Sequence, residues 1–263
     1  FNCFGLLDIT IIRHFLRWQR TYEPITDQWI GASSIFDALV SMATFRLNED
    51  KAEEATVVGD NEVSYKARSI YHPFLGEKAV RNNFDIQNHE YYIITGANMA
   101  GKSTFLRTLG VNYILAMNGL PVFAEEMRVS VFRLFTNMRT TDDLTHGISY
   151  FNAELLRLKQ LIASLDPNVP SLIILDEILK GTNSLDKLNG SRLFLEYISE
   201  RNVTGVIATH DLELSKLEDE NPQRFHNYSF EIELGTDVTY TYKIGRGVAR
   251  NQNATFLLKQ ILI

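Results

Sequence analysis

Residues 96–103, Gly-Ala-Asn-Met-Ala-Gly-Lys-Ser, have the types and spacing to hold a polyphosphate. They fit G-x-x-x-x-G-K-[ST], a loop whose glycines let the backbone fold back so that successive N–H groups point inward at phosphate oxygens. A helix starting near Lys102 would add its positive N-terminal end. In such a loop Lys102 reaches the β- and γ-phosphates, and the Ser103 hydroxyl ligates Mg²⁺. The apolar run Tyr91-Tyr92-Ile93-Ile94 leads in and a helical pattern leads out, flanks that a chance glycine turn would lack. Gly96, Ala97, Asn98, Met99, Ala100, Gly101, Lys102, Ser103 and Thr104 are therefore expected to bind nucleotide.

Two further apolar runs end in groups suited to phosphate hydrolysis. Leu172-Ile173-Ile174-Leu175 is followed by Asp176 and Glu177, and Val206-Ile207-Ala208 by Thr209, His210 and Asp211. Asp176 would hold Mg²⁺, directly or through water. Glu177, one residue on and facing the other way, would polarise the attacking water. At the end of the third run, His210 would sense the γ-phosphate. The expected catalytic set is thus Glu177, Lys102 and His210, and the metal set Ser103 and Asp176. Runs apolar on both faces suit the central strands of a parallel sheet covered by helices. Open α/β sheets bind ligands at the carboxyl ends of their strands, so three such strands delivering polar groups to one edge build a site.

The elements that position these groups begin with residues 1–58, which read as helical. Leu6, Leu7, Ile11, Phe15 and Trp18 recur at three- and four-residue spacing, as do Ile35, Phe36, Leu39, Met42 and Phe45. Pro24 is expected to separate the two patterns. Residues 59–263 change to strands alternating with helices, with helices over 102–118 and 150–165. Residues 228–234 and 238–244 alternate with period two around Gly235-Thr236-Asp237, an antiparallel hairpin that Gly245 and Gly247 break. Residues 254–262 resume a helical pattern. The fold class is α/β: a mainly parallel central sheet flanked by helices, with an antiparallel hairpin and an N-terminal helical segment.

A chain of 263 residues, 45% hydrophobic and 22% charged, has the composition of an ordinary globular protein. Its net charge of −6 gives no electrostatic reason for tight, general adhesion to nucleic acid or anionic membrane. The lone Cys3 excludes an internal disulfide framework and suits a reducing compartment, so a cytoplasmic location is expected. No Cys/His cluster has zinc-ligand spacing. The opening run, residues 1–12, is too short and too interrupted to span a bilayer. The first residue is Phe rather than Met, so a longer polypeptide is expected, and an upstream membrane anchor stays open.

An acid pair with a strand-terminal histidine is also the arrangement of ATPases related to the ABC class, in which nucleotide lies between two subunits. The transporter signature LSGGQ is missing, and DDLTHGISYFNAELLRL (142–158) stands in its place. Ser149 would open a helix whose hydroxyl and N–H groups could receive the neighbour's ATP; an ordinary N-cap accounts for Ser149 equally well.

With these pieces in order, the chain resembles the ATPase domain of the MutS family of DNA mismatch repair proteins. The matching stretches are YHPFL (71–75), IITGANMAGKSTFLR (93–107), AMNGLPVFA (116–124), TTDDLTHGISYFNAE (140–154), LIILDEILKGTNSLD (172–186) and IATHDLEL (207–214), and the resemblance covers roughly residues 65–263. It implies a P-loop NTPase of ABC-like type using ATP and Mg²⁺. Lys102 and Ser103 would lie on phosphate and metal, Asp176 on the metal, Glu177 on the water, and His210 would be a switch. Ser149 would act in trans on a homodimer with composite ATP sites. Residues 181–184 would face the other subunit, and a C-terminal helical segment would help dimerise. Double-stranded DNA, mismatched or branched, would be held through regions largely outside this chain, and other repair proteins are implied as partners. Residues 1–58 resemble the truncated base of the family's lever helices.

The chain departs from the family at several points. Ala97 stands where the family has proline, Asn183-Ser184 replaces serine–threonine, and Asn137-Met138-Arg139 replaces arginine–apolar–glycine. Three extra residues follow Asp186, and NQNA stands in the tail. These departures resemble a divergent branch. Two alternatives stand beside this reading: an ABC-type ATPase of a non-repair, membrane-linked system, and a nucleotide-gated scaffold with little hydrolysis.

Overall fold

The computed structural model describes residues 6–49, 52–138, 150–179, 183–234 and 238–250. The chain forms two compact units, residues 1–50 and 51–263.

The first unit is one helix, α1 (Leu7–Asn48), of 42 residues, none of them buried. It runs through Pro24, which does not divide it as the sequence pattern predicts. Proline removes one N–H from the ladder, but the aromatic row on this helix crosses the position. Phe15 stacks on Trp18, Trp18 meets Tyr22, and Tyr22 meets Trp29, with ring centroids 6.1, 6.1 and 5.7 Å apart. Nearby, Thr21 and Thr26 bond back to the carbonyls of Arg17 and Tyr22, each at 2.9 Å. The helix is long and apolar enough, by length and composition, to cross a membrane. Residues 7–12 of the opening run therefore belong to an element that meets a criterion which residues 1–12 alone do not.

The second unit begins with β1 (Thr56–Val58), so these three residues are strand rather than the end of the helical segment; they pair in parallel with Arg128–Ser130. Then come β2 (Tyr65–Ile70), a 3-10 turn (Pro73–Lys78), β3 (Asn82–Ile86), β4 (Tyr91–Gly96), α2 (Lys102–Met117), β5 (Glu126–Ser130) and β6 (Arg133–Asn137). After α3 (Tyr150–Ser164) follow β7 (Ser171–Asp176), α4 (Ser184–Ser199), β8 (Val203–Ala208), a 3-10 turn (Leu212–Lys216), α5 (Leu217–Glu220), β9 (Phe225–Leu234) and β10 (Val238–Arg246).

Two sheets result. The smaller has the order β1-β5-β2-β3, and the larger β10-β9-β4-β8-β7-β6. In the larger sheet β9, β4, β8, β7 and β6 run parallel, and only β10 is antiparallel. Every residue of β4, β7 and β8 is buried because both faces are covered. Tyr92, Ile94, Leu172, Ile174 and Val206 join a core with Leu106 and Leu109 of α2 and with the smaller sheet. The alternate residues, Tyr91, Ile93, Ile173, Leu175 and Ile207, face Leu158 and Leu161 of α3 and Leu195 and Ile198 of α4. This is the period-two alternation of strands packed on both sides.

β10 extends through Gly245, which pairs with Ser229, so the hairpin does not break there. Gly247 ends it, with φ 105° and its N–H on Asn227 O at 2.8 Å. The hairpin tip (235–237) and the expected helix at 254–262 lie outside the described residues.

Candidate functional site

Strand order decides what meets. β8 lies between β4 and β7, and Ala208 is in register with both Ile94 and Asp176. Thr209 N donates to Ile94 O and Glu177 N to Ala208 O, each at 2.9 Å. The residues that follow the three strands are thereby held at one edge.

After β4 the chain coils. Gly96, Met99 and Gly101 have φ of 150°, 65° and 110°. A Cβ on Gly96 would also stand 2.8 Å from Phe230 O, so only glycine fits. α2 opens at Lys102 with no side-chain cap, so the positive end of the helix follows directly on the loop. Lys102 is 6% exposed. Its Nζ donates to Gly96 O at 2.7 Å and Ala97 O at 2.9 Å, and lies 3.4 Å from His210 Nδ1.

His210 Nε2 is 3.2 Å from Glu177 Oε1, and Lys187 Nζ is 3.3 Å from Glu177 Oε2. Burial, then the Lys102 ammonium, holds the imidazole below its ordinary value of 6.5, with Glu177 pulling the other way and Lys187 lowering it further. The histidine is therefore neutral near pH 7, and its contact with Glu177 is a hydrogen bond rather than an ion pair. A neutral ring carrying its proton on Nε2 would donate to Glu177 and accept from Lys102 at Nδ1.

A cavity of about 670 Å³ opens here, a size suited to a nucleotide. It brings together Asn98, Met99, Ala100, Gly101, Lys102, Ser103 and Thr104 with Asp176, Glu177 and His210. Gly96 and Ala97 do not line it; they stand behind, presenting carbonyls to Lys102. Ser149 and residues 181–182 lie outside the described residues, as does Arg139. Asn137 ends β6 in register with Leu175, and Met138 packs against the core.

The fit of a Mg²⁺–triphosphate can be tested on these residues. A glycine loop with no room for a Cβ at Gly96, a buried ammonium and the positive end of a helix suit phosphate oxygens. The Ser103 hydroxyl and the buried Asp176 carboxylate offer the hard oxygen donors Mg²⁺ takes when phosphates supply the rest. No cluster of three or more metal-ligating His, Cys, Asp or Glu side chains exists among the described residues.

Of the other lining residues, Tyr71, His72 and residues 80–83 lie in the part of the sequence suited to an adenine contact, though nothing in their chemistry compels it, and Ile70 and Tyr242 escaped the sequence reading. Ile70, Tyr71, Val80, Asn82 and Tyr242 also wall the cavity, and Tyr242 lies against the glycine loop, its Cδ1 3.1 Å from where a Cβ on Gly101 would stand. Asn112, fully buried in α2, fixes Tyr71 by donating to its carbonyl at 3.2 Å and accepting Phe123 N–H at 2.7 Å. Tyr242 has φ 52° at a bulge of β10. Asn82 holds that bulge, donating to Tyr242 O and accepting Ile244 N–H, each at 3.0 Å. Lys187 and Glu154 were also missed. Lys187 is 10 residues from its partner Glu177, and Glu154 is 25 residues from the Leu179 amide that it binds, and no local pattern connects them.

Fold and cavity define an α/β protein with a polar site at the carboxyl edge of parallel strands. The family model of MutS domain V matches residues 92–256. The chain is 31% identical over 223 residues to the DNA mismatch repair protein MutS of Caldicellulosiruptor bescii, covering 80% of this chain and 25% of that protein. It is 32% identical over 257 residues to that of Clostridium botulinum (91% and 26%), and 32% over 203 residues to that of Acetivibrio thermocellus (74% and 23%). The chain belongs to the MutS family, and it spans about a quarter of the length of these relatives.

Proposed function

We propose that this chain is the ATP-binding and ATP-hydrolysing part of a MutS-family protein, a P-loop ATPase of ABC-like type working as a nucleotide-gated dimer. The observation that carries the reading is the register of β4, β8 and β7, which gathers Lys102, Ser103, Asp176, Glu177 and His210 on one cavity. In it the loop N–H groups and Lys102 bind the triphosphate, and Ser103 and Asp176 hold Mg²⁺. When bound, Mg²⁺ neutralises charge developing on the phosphate oxygens. Glu177 takes the proton of a water whose oxygen bonds to the γ-phosphorus as the bond to the β-phosphate oxygen breaks, releasing ADP and phosphate. Neutral His210 donates to Glu177 and orients it. The base lies against Tyr71 and Val80.

In this reading a second copy completes each site, with Ser149 as its contribution. ATP state then biases the closed dimer and, through it, upstream regions that contact mismatched or branched double-stranded DNA and other repair proteins. The location is cytoplasmic. The test is oligomeric state with ATP and Mg²⁺. Glu177→Gln is expected to accumulate as an ATP-loaded dimer and Lys102→Ala to stay monomeric, both with hydrolysis reduced at least about 100-fold. Indifference of all three proteins to nucleotide sinks the proposal.

A second reading, an ATPase linked to a membrane, is favoured by one observation: α1 exposes Ile9, Ile12, Trp18, Ile35 and Phe36 and satisfies the length and composition of a membrane span.

A further inference from the structure

The acid pair runs into a turn that is strained twice. Glu177 has φ 65° and Leu179 φ 57°, a region that a residue with a side chain keeps only where its surroundings impose it. One constraint is the bond of Glu177 N to Ala208 O. A second is steric. Leu179 lies over Gly190 of α4 so closely that a Cβ there would stand 2.4 Å from Leu179 Cδ1. The third comes from α3, where Glu154 Oε1 accepts the Leu179 N–H at 2.7 Å. Glu154 is 2% exposed. A carboxylate so deeply placed is costly unless it is hydrogen-bonded, and a bond from a backbone N–H to an ionised acceptor is the strong kind.

We propose that Glu154 is a positioning residue for hydrolysis: by holding the Leu179 amide it keeps the turn in the form that aims the Glu177 carboxylate at His210. The inference rests on the reading of Glu177 as the base. It differs from a mere tie between helix and loop in what it controls. Phosphate binding runs through the loop after β4, whereas the orientation of Glu177 runs through the turn that Glu154 holds. Misplacing a catalytic group by about 1 Å costs on the order of 100-fold in rate.

The test combines ATP turnover, ATP affinity and hydrogen exchange at the Leu179 amide. Glu154→Ala is expected to lower kcat about 10- to 100-fold, with affinity for ATP changed less than about threefold and exchange at Leu179 at least about tenfold faster. Glu154→Gln keeps an oxygen acceptor and is expected to stay within about threefold of wild type in all three. Wild-type kcat in the Ala variant, or a Gln variant as slow as Ala, overturns the assignment. Should the Ala variant not fold, Glu154→Asp decides: its carboxylate falls one methylene short, so a low kcat at unchanged affinity supports the assignment and wild-type kcat overturns it. If the wild-type chain itself turns over no ATP, the ATPase reading fails on its own. The exchange rate then decides the Glu154 contact: faster exchange in Glu154→Ala supports it and an unchanged rate overturns it.

Discussion

His210 stands between Lys102, Lys187 and Glu177, and its protonation decides how their charges are shared. A free imidazole takes a proton near 6.5, but burial and Lys102 lower this one. As pH falls through 6.5 the unfolded chain binds a proton at this position before the folded chain does. Stability from this site is therefore fully present above the ordinary value, declines below it, and levels off once the folded imidazole also titrates. His210→Asn removes the linkage. Between about pH 7 and about pH 5.5 the Tm of the variant should fall less than that of wild type; equal falls in thermal scans would show that the histidine is not held neutral. The residue types at this site were legible because loop, acid pair and histidine each end an apolar run. Their mutual bonds were not, because 3.2–3.4 Å contacts between residues more than 30 positions apart depend on strand order.

That order is fixed by elements, and β8 is the one between the other two. Its middle residue, Gly205, leaves room for Tyr91, since a Cβ there would stand 2.6 and 2.9 Å from ring carbons of Tyr91. The ring cannot swing away easily: it is fully buried, packs on Phe225 at 5.3 Å, and donates its hydroxyl to Val203 O at 2.9 Å. Gly205→Ala should therefore destabilise the fold by about 1–3 kcal/mol through overpacking, measured as a lower urea midpoint at constant m. An unchanged midpoint would mean that β4 and β8 part without cost. The same elements show what one-dimensional pattern can carry. β4, β7 and β8 stand out in sequence because covering both faces demands unbroken apolar runs. The smaller sheet does not, because Lys66, Arg68, Glu126 and Arg128 interrupt Tyr65, Ala67, Met127 and Val129 with charge on the open face. Pro24 misled because the apolar and aromatic pattern resumes beyond it, and the ring row from Phe15 to Trp29 spans the position.

At the scale of the whole molecule, the two units draw on different physics. The second builds its cores from its own residues, from Val63 to Ile232 on one side of the large sheet and from Tyr91 to Phe225 on the other. The first buries none of the side chains of α1. A fragment of residues 51–263 should thus unfold in one transition with Tm within about 4 °C of the longer chain, the shift that about 1 kcal/mol produces in a domain of this size. The same pair of proteins separates the two functional readings. If α1 is the base of a lever, both the chain and the fragment stay in the supernatant when lipid vesicles are pelleted. If α1 seats in a membrane, the chain pellets with the vesicles at high salt and the fragment does not, because burying its exposed Ile, Trp and Phe side chains in lipid is worth far more than surface charge at that ionic strength. A fragment that loses its cooperative transition would show instead that α1 belongs to the fold of the second unit, and the division at residue 50 would have to be abandoned.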